Sequence, residues 1–220
     1  HYQFANLQGM RRDYQGMVES FLELLHKTPT YLRTVQNSLN RNLRLQTEPE
    51  NGEMVRTELL KAAQRYPDDT IFPEMLVWYF TQEKDFSSAF IHARSLDLRS
   101  KGVGLNIMAL GNTAASNDDL ETAMECYGYV AAKGVGSPYF YTARNELLQV
   151  RFHALTKETP PNFDGLTLLE ADYAASIRDL GVKSETSIML KNQAHILAFY
   201  LDRGDEGMAI MEEVLNIAGL

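Results

Sequence analysis

Residues 104–137 read GLNIMALGNTAASNDDLETAMECYGYVAAKGVGS, and residues 70–103 read TIFPEMLVWYFTQEKDFSSAFIHARSLDLRSKGV. Laid over one another without a gap, they share a few positions that carry physical roles: Leu76 with Leu110, Asp85 with Asp119, and Ala89 with Ala123, each pair 34 residues apart. Ala89, Ala93 and Leu96 correspond to Ala123, Tyr127 and Val130, one face of a helix at steps of four and seven. Asp85 and Asp119 each precede such a pattern, where a carboxylate accepts orphan backbone N–H groups and meets the positive end of the helix dipole. A constant period of this length predicts a repeated unit of two helices joined by a turn.

The same logic extends in both directions. One period before Leu96 lies Ala62, and Pro67 closes that unit three residues before Thr70. Further on, Asp205 and Ala209 follow Phe199-Tyr200 and read as the start of another second helix. The extra length before it falls in the loop Thr156–Gly165, with its Pro160-Pro161 pair, and in longer flanking helices. Apolar residues at three- and four-residue steps, as in Val18, Phe21, Leu22 and Leu25, predict helix nearly everywhere. Asn51-Gly52 and Asp164-Gly165 precede helical patterns instead of joining two alternating runs, so no β-hairpin is expected. Ser137-Pro138 reads as an N-cap followed by proline at the first helical position. The predicted helices are 4–26, 31–46, 53–65, 72–83, 86–98, 104–115, 119–133, 138–156, 165–180, 185–202 and 205–217, the last stopped by Gly219. That is an all-α chain of about eleven helices.

A 34-residue helix–turn–helix period with W-x2-L-G-x2-Y, then A-x3-F, then P, resembles the tetratricopeptide repeat. Segment 104–137 carries Leu110-Gly111 and Ala123-x3-Tyr127; segment 70–103 keeps Leu76, Phe80 and Ala89 but has Val77 and Ala93 where the family prefers glycine and an aromatic. Segment 36–69 keeps mainly its second helix and Pro67. The resemblance implies a right-handed α-α superhelix, one continuous solenoid. It would comprise an N-terminal helical segment at 1–35, three helix pairs over 36–137, and two divergent pairs over 138–220 with the long loop at 156–165. Another α-solenoid or an irregular helical bundle is the competing reading.

In that family the first helix of each pair lines a concave wall, which the resemblance implies as a docking groove for an extended peptide or partner helix. The repeat frame places Asn40 and Arg44 there, then Glu74, Trp78, Thr81 and Gln82, then Met108, Asn112, Ala115 and Ser116, and then Thr142, Glu146 and Gln149. Amide side chains pair with a peptide backbone, and a tryptophan is the kind of anchor that dominates interfaces. Trp78, inside Leu76-Val77-Trp78-Tyr79-Phe80, reads equally as core. Family members that capture chaperone C-terminal carboxylates use Lys, Asn and Arg; Arg44 and Asn112 are present and the lysines are not.

Composition narrows the function class. The chain is 45% hydrophobic and 23% charged, with a formal charge of −8, so its surface repels phosphate backbones and no nucleic-acid partner is expected. Cys126 stands alone, which excludes an internal disulfide and a cysteine-based zinc site. His26, His92, His153 and His195 are scattered without a second ligand at helical spacing. No nucleophile elbow, zinc-helix or phosphate-loop motif occurs, and Gly102-x-Gly104 and Gly134-x-Gly136 read as turns. The apolar run Ile196–Leu201 is far short of the roughly 20 residues that span a bilayer.

The expectation is therefore a non-catalytic, cofactor-free interaction scaffold for a protein or peptide partner, part of a larger protein or complex. The alternative is a helical ligand-recognition domain of the bacterial cell envelope. It would take carbohydrate or peptide at Tyr127, Tyr129, Tyr139, Phe140 and Tyr141 and at the 156–165 loop. The lone cysteine fits a reducing cytoplasm, and a start at His1 leaves room for an upstream export signal.

Overall fold

A computed structural model describes residues 1–45, 47–157 and 159–217. Among them are twelve α-helices, two short 3-10 turns and no strand, an all-α fold in which consecutive helices pack together. The chain divides into two compact units, His1–Gly102 and Val103–Leu220.

The first unit holds α1 (Tyr2–Met10), α2 (Tyr14–Lys27), α3 (Leu32–Leu43), α4 (Pro49–Arg65), α5 (Ile71–Gln82) and α6 (Phe86–Ser100). Helix α2 packs against α1, α3 and α4, while α5 packs against α3, α4 and α6. Helix α2 thus neighbours α4, two helices on, and α3 neighbours α5. Phe21, Leu25, Leu39, Leu59, Phe72 and Met75 are fully buried there. Each such side chain contributes about 1.5–3 kcal/mol of transfer free energy.

The second unit holds α7 (Leu105–Ser116), α8 (Leu120–Ala131), α9 (Phe140–Thr156), α10 (Phe163–Leu180), α11 (Ser187–Tyr200) and α12 (Gly204–Leu215). Each helix packs on the next, and α9 also meets α11. Its core gathers Leu148, Leu166, Leu169, Tyr173, Met189, Leu190, Ile196 and Val214. No described helix is long and apolar enough to cross a membrane.

Three hairpins are built by one turn. In Glu83-Lys84-Asp85, Lys84 is left-handed (φ 58°), its N–H donates to the Thr81 carbonyl at 3.2 Å, and the Asp85 N–H donates to the Phe80 carbonyl at 2.9 Å. Asn117-Asp118-Asp119 repeats this, with Asp118 at φ 67° and bonds to Ala115 and Ala114, both 3.0 Å. This pattern is the Schellman helix stop. The residue that completes the stop also starts the next helix: the Asp85 carboxylate accepts from the Ser88 N–H at 3.0 Å, and Asp119 from the Thr122 N–H at 3.1 Å.

The third copy is one that the hydrophobic periodicity runs straight through. The predicted helix 4–26 is two helices, divided at Arg11-Arg12-Asp13, so the described residues form twelve helices and not eleven. Arg12 is left-handed (φ 62°), the Asp13 N–H reaches the Gln8 carbonyl at 3.0 Å, and Asp13 caps Gly16 at 3.0 Å. Other boundaries move less. Helix α4 begins at Pro49 and places Gly52 inside, buried; α9 begins at Phe140, after Ser137 has used its hydroxyl to accept from the Tyr139 N–H at 3.4 Å. Asn162 caps α10 by accepting from the Gly165 N–H at 2.8 Å. Helix α3 ends at Leu43 on left-handed Arg44 (φ 46°), while Gln46 and the Gly219 stop lie outside the described residues.

The last hairpin corrects the register read from Asp205 and Ala209. Asp202 is the left-handed residue (φ 53°) and Arg203 the N-cap, so Asp205 sits in the first turn of α12. Four residues beyond each N-cap lie Met17, Ala89, Ala123 and Gly207, all buried, whereas Ala209 is exposed. A Cβ on Gly207 would stand 2.9 Å from the Ala194 backbone carbonyl oxygen. Gly111 has the same function between α7 and α8, where a Cβ would meet Cys126 and Tyr127 at 2.9 Å each.

Chemical denaturation should show this directly. Gly207→Ala is expected to destabilise by about 1–3 kcal/mol through overpacking against backbone, while Ala209→Ser stays within about 0.5 kcal/mol. Asp85→Ala and Asp119→Ala should each remove about 1 kcal/mol as lost caps.

Candidate functional site

The residues expected to face a groove fall on both units, and each unit presents its own share. In the first unit Glu74, Trp78, Thr81 and Gln82 lie on one side of α5 at steps of four, seven and eight. Glu74 is exposed, while Trp78 is half-buried. The Asn40 amide on α3 donates to Gln82 Oε1 on α5 at 3.5 Å, so these two are brought together across neighbouring first helices. Thr81 turns inward and donates to the Val77 carbonyl of its own helix at 2.7 Å. Arg44 is exposed at the end of α3.

In the second unit, Asn112 on α7 is the most defined member. Its Oδ1 accepts from the Tyr127 hydroxyl of α8 at 2.7 Å, which fixes the plane of an exposed amide and leaves its NH2 without a partner among the described residues. Ser116 donates back to the Asn112 carbonyl at 2.7 Å. Met108 is buried at 6% exposure, so it belongs to the helix interior and not to an open face. Glu146 and Gln149 on α9 are half-buried. Burial pushes the Tyr127 hydroxyl up to about 12, and the Glu146 carboxylate adds to the shift, which locates that charge near the Asn112–Tyr127 pair.

Periodicity alone did not single out the continuation of this row. Buried Asn145 on α9 accepts at Oδ1 from the Asn192 amide of α11 at 3.2 Å, so a second amide is pinned the way Asn112 is. Beneath them Tyr173 is fully buried with no hydrogen-bond partner for its hydroxyl among the described residues. Burial pushes it up to about 12, against a smaller lowering from nearby Asn192. Arg144 bonds Ser176 at 2.9 Å and Arg151 pairs with Asp172 at 2.5 Å, holding α9 to α10. Three first helices, α7, α9 and α11, therefore carry Asn112, Asn145 with Glu146, and Asn192. The available signal was an asparagine on each of these three helices.

The tyrosine-rich segment is already engaged. Lys183 Nζ donates to Tyr141 Oη at 2.7 Å and lies 4.8 Å from the centre of its ring, while Phe140 meets Tyr141 edge-on at 5.2 Å. The start of the 156–165 loop is tied down by an ion pair between Lys157 and Asp118. Two of the histidines stack on aromatic rings of the first unit. His26 bonds Asp69 at 2.6 Å and stacks on Tyr66 at 3.9 Å; His92 stacks on Phe80 at 5.5 Å. Among the described residues no three of His, Cys, Asp and Glu gather in a metal-binding arrangement.

Comparison with protein-family models and with curated protein sequences finds no match to this chain.

Two groups near these faces have checkable chemistry. Burial pushes the Cys126 thiol up to about 12, so it should resist a thiol reagent in the native protein and react at once in denaturant. Burial also holds His92 below the usual 6.5. The unfolded chain then takes up a proton that the folded chain resists, so this contribution to stability is complete above about 6.5 and shrinks as the pH falls below it. His92→Gln should flatten that acid-side slope in pH-dependent unfolding.

Proposed function

We propose that this chain is a non-catalytic interaction domain, related in design to tetratricopeptide repeats, that holds an extended segment of a partner protein along its first helices. The observation that carries the reading is the fixed amide of Asn112. Tyr127 donates to its oxygen and sets its orientation, and its NH2 half has no partner among the described residues. An amide so held can donate to a peptide carbonyl without first losing rotamer freedom, which is where much of the cost of binding lies. The half-buried amide of Asn192 is likewise held, donating to Asn145 on α9. A peptide backbone, which carries a carbonyl acceptor at every residue, is a ligand that the Asn112 donor suits.

In the first unit the linked Asn40 and Gln82 amides stand on neighbouring helices, with Trp78 one turn before Gln82 as an apolar surface. Recognition by shape and backbone pairing needs no nucleophile, base or metal. Glycan stacking on the tyrosine segment is disfavoured because Lys183 occupies Tyr141.

The test uses peptides selected from a random displayed library against the whole chain, with affinities then measured by calorimetry. Asn112→Ala and Trp78→Ala, checked for unchanged helicity, should each weaken at least one class of selected peptides by about tenfold, one lost buried hydrogen bond or anchor. A library that yields no binders, or binders indifferent to both changes, contradicts the reading.

A further inference from the structure

Two helices expose apolar stripes that nothing in their own unit covers, and their charges are opposite. Helix α1 turns Ala5 and Gly9 inward and leaves Phe4, Leu7 and Met10 exposed at 59%, 54% and 80%. The helix contains no carboxylate, and exposed Arg11 and Arg12 follow it without an ion pair among the described residues. Helix α12 turns Gly207 and Val214 inward and exposes Met208, Met211 and Leu215 at 64%, 38% and 76%. It contains no cation. Asp205 and Glu212 lie on the same face as that stripe, and neither they nor Glu213 have an ion-pair partner among the described residues.

We infer that separate copies of this chain associate head to tail, α1 of one molecule lying antiparallel on α12 of the next. One register satisfies both stripes. With Met10 against Met208, Leu7 falls against Met211 and Phe4 within one residue of Leu215, and Arg11, just beyond α1, comes near Asp205 at the start of α12. The antiparallel sense brings the negative end of the α1 dipole to the positive end of α12. Pairing α12 with a second α12 would set carboxylate against carboxylate, and pairing α1 with α1 would set guanidinium against guanidinium, within a chain of net charge −8. Charge thus selects the heterologous contact, in which each molecule offers one face to the next.

Sedimentation velocity on the full chain, from low micromolar to several hundred micromolar, should show mass that grows with concentration and falls with added salt. Leu7→Asp and Met211→Asp change exposed residues only, and each variant alone should remain a monomer. Mixed in equal amounts, they should form a dimer and nothing larger, because one intact α12 meets one intact α1. Arg11→Glu should weaken association about tenfold, and a mixture of Arg11→Glu with Asp205→Lys should recover it. A wild-type chain that stays monomeric throughout overturns the proposal. So does self-association that survives in either single variant, which would mark a like-with-like face, and so does a mixture that stays monomeric.

Discussion

The architecture depends on a single kind of joint. An amide at the end of a three-residue connection donates back to a carbonyl five residues earlier, and the same residue's carboxylate then caps the following helix. One aspartate therefore satisfies a carbonyl left over by the first helix and an N–H left over by the second. Because the joint admits only three residues, it fixes where the second helix starts and which of its faces meets the first. Asp13, Asp85 and Asp119 each occupy this position, and each is followed four residues later by a buried side chain: Met17, Ala89 and Ala123. Packing follows from the joint, since a small residue at that site or opposite it sets how closely two helices approach.

How much of this was legible in the sequence depends on which residue does the work. Asp85 and Asp119 were readable because they stand before identical spacings of apolar residues. The Arg11–Asp13 joint was not, because its left-handed residue is arginine. Glycine is the usual sign of a left-handed helix stop, and Arg12, Lys84 and Asp118 all adopt that conformation without it. Asp13-x3-Met17 carries the same spacing as the other two, with a large residue at the site where they have alanine. The two-residue slip in the last hairpin has a similar origin: Asp205 looks like a cap, but the N-cap position belongs to Arg203, which pairs with Glu206 and Glu170 instead of capping with an oxygen.

Function was legible only as a class of surface. The repeat frame named Asn112 and Glu146, and both stand with Tyr127 in the second unit. It also named Met108, which is core, because a helical frame assigns a face only to within about one residue and cannot weigh depth. Asn145 and Asn192 escaped notice because what distinguishes them is a bond between α9 and α11 across 47 residues. A polar pair of that kind leaves no periodic trace. The outward faces of α1 and α12 were hidden for the opposite reason: their methionines and leucines look like ordinary core residues until the structure shows them uncovered.

The central claim is that these short connections are hydrogen-bonded joints and not open loops. Amide hydrogen exchange resolved by residue tests it most directly at Asp13, Asp85 and Asp119. If each N–H is held by the carbonyl five residues earlier, all three exchange at the slow rates of the helix interiors beside them. Exchange at the rate of free, solvent-exposed backbone at these positions would contradict the account.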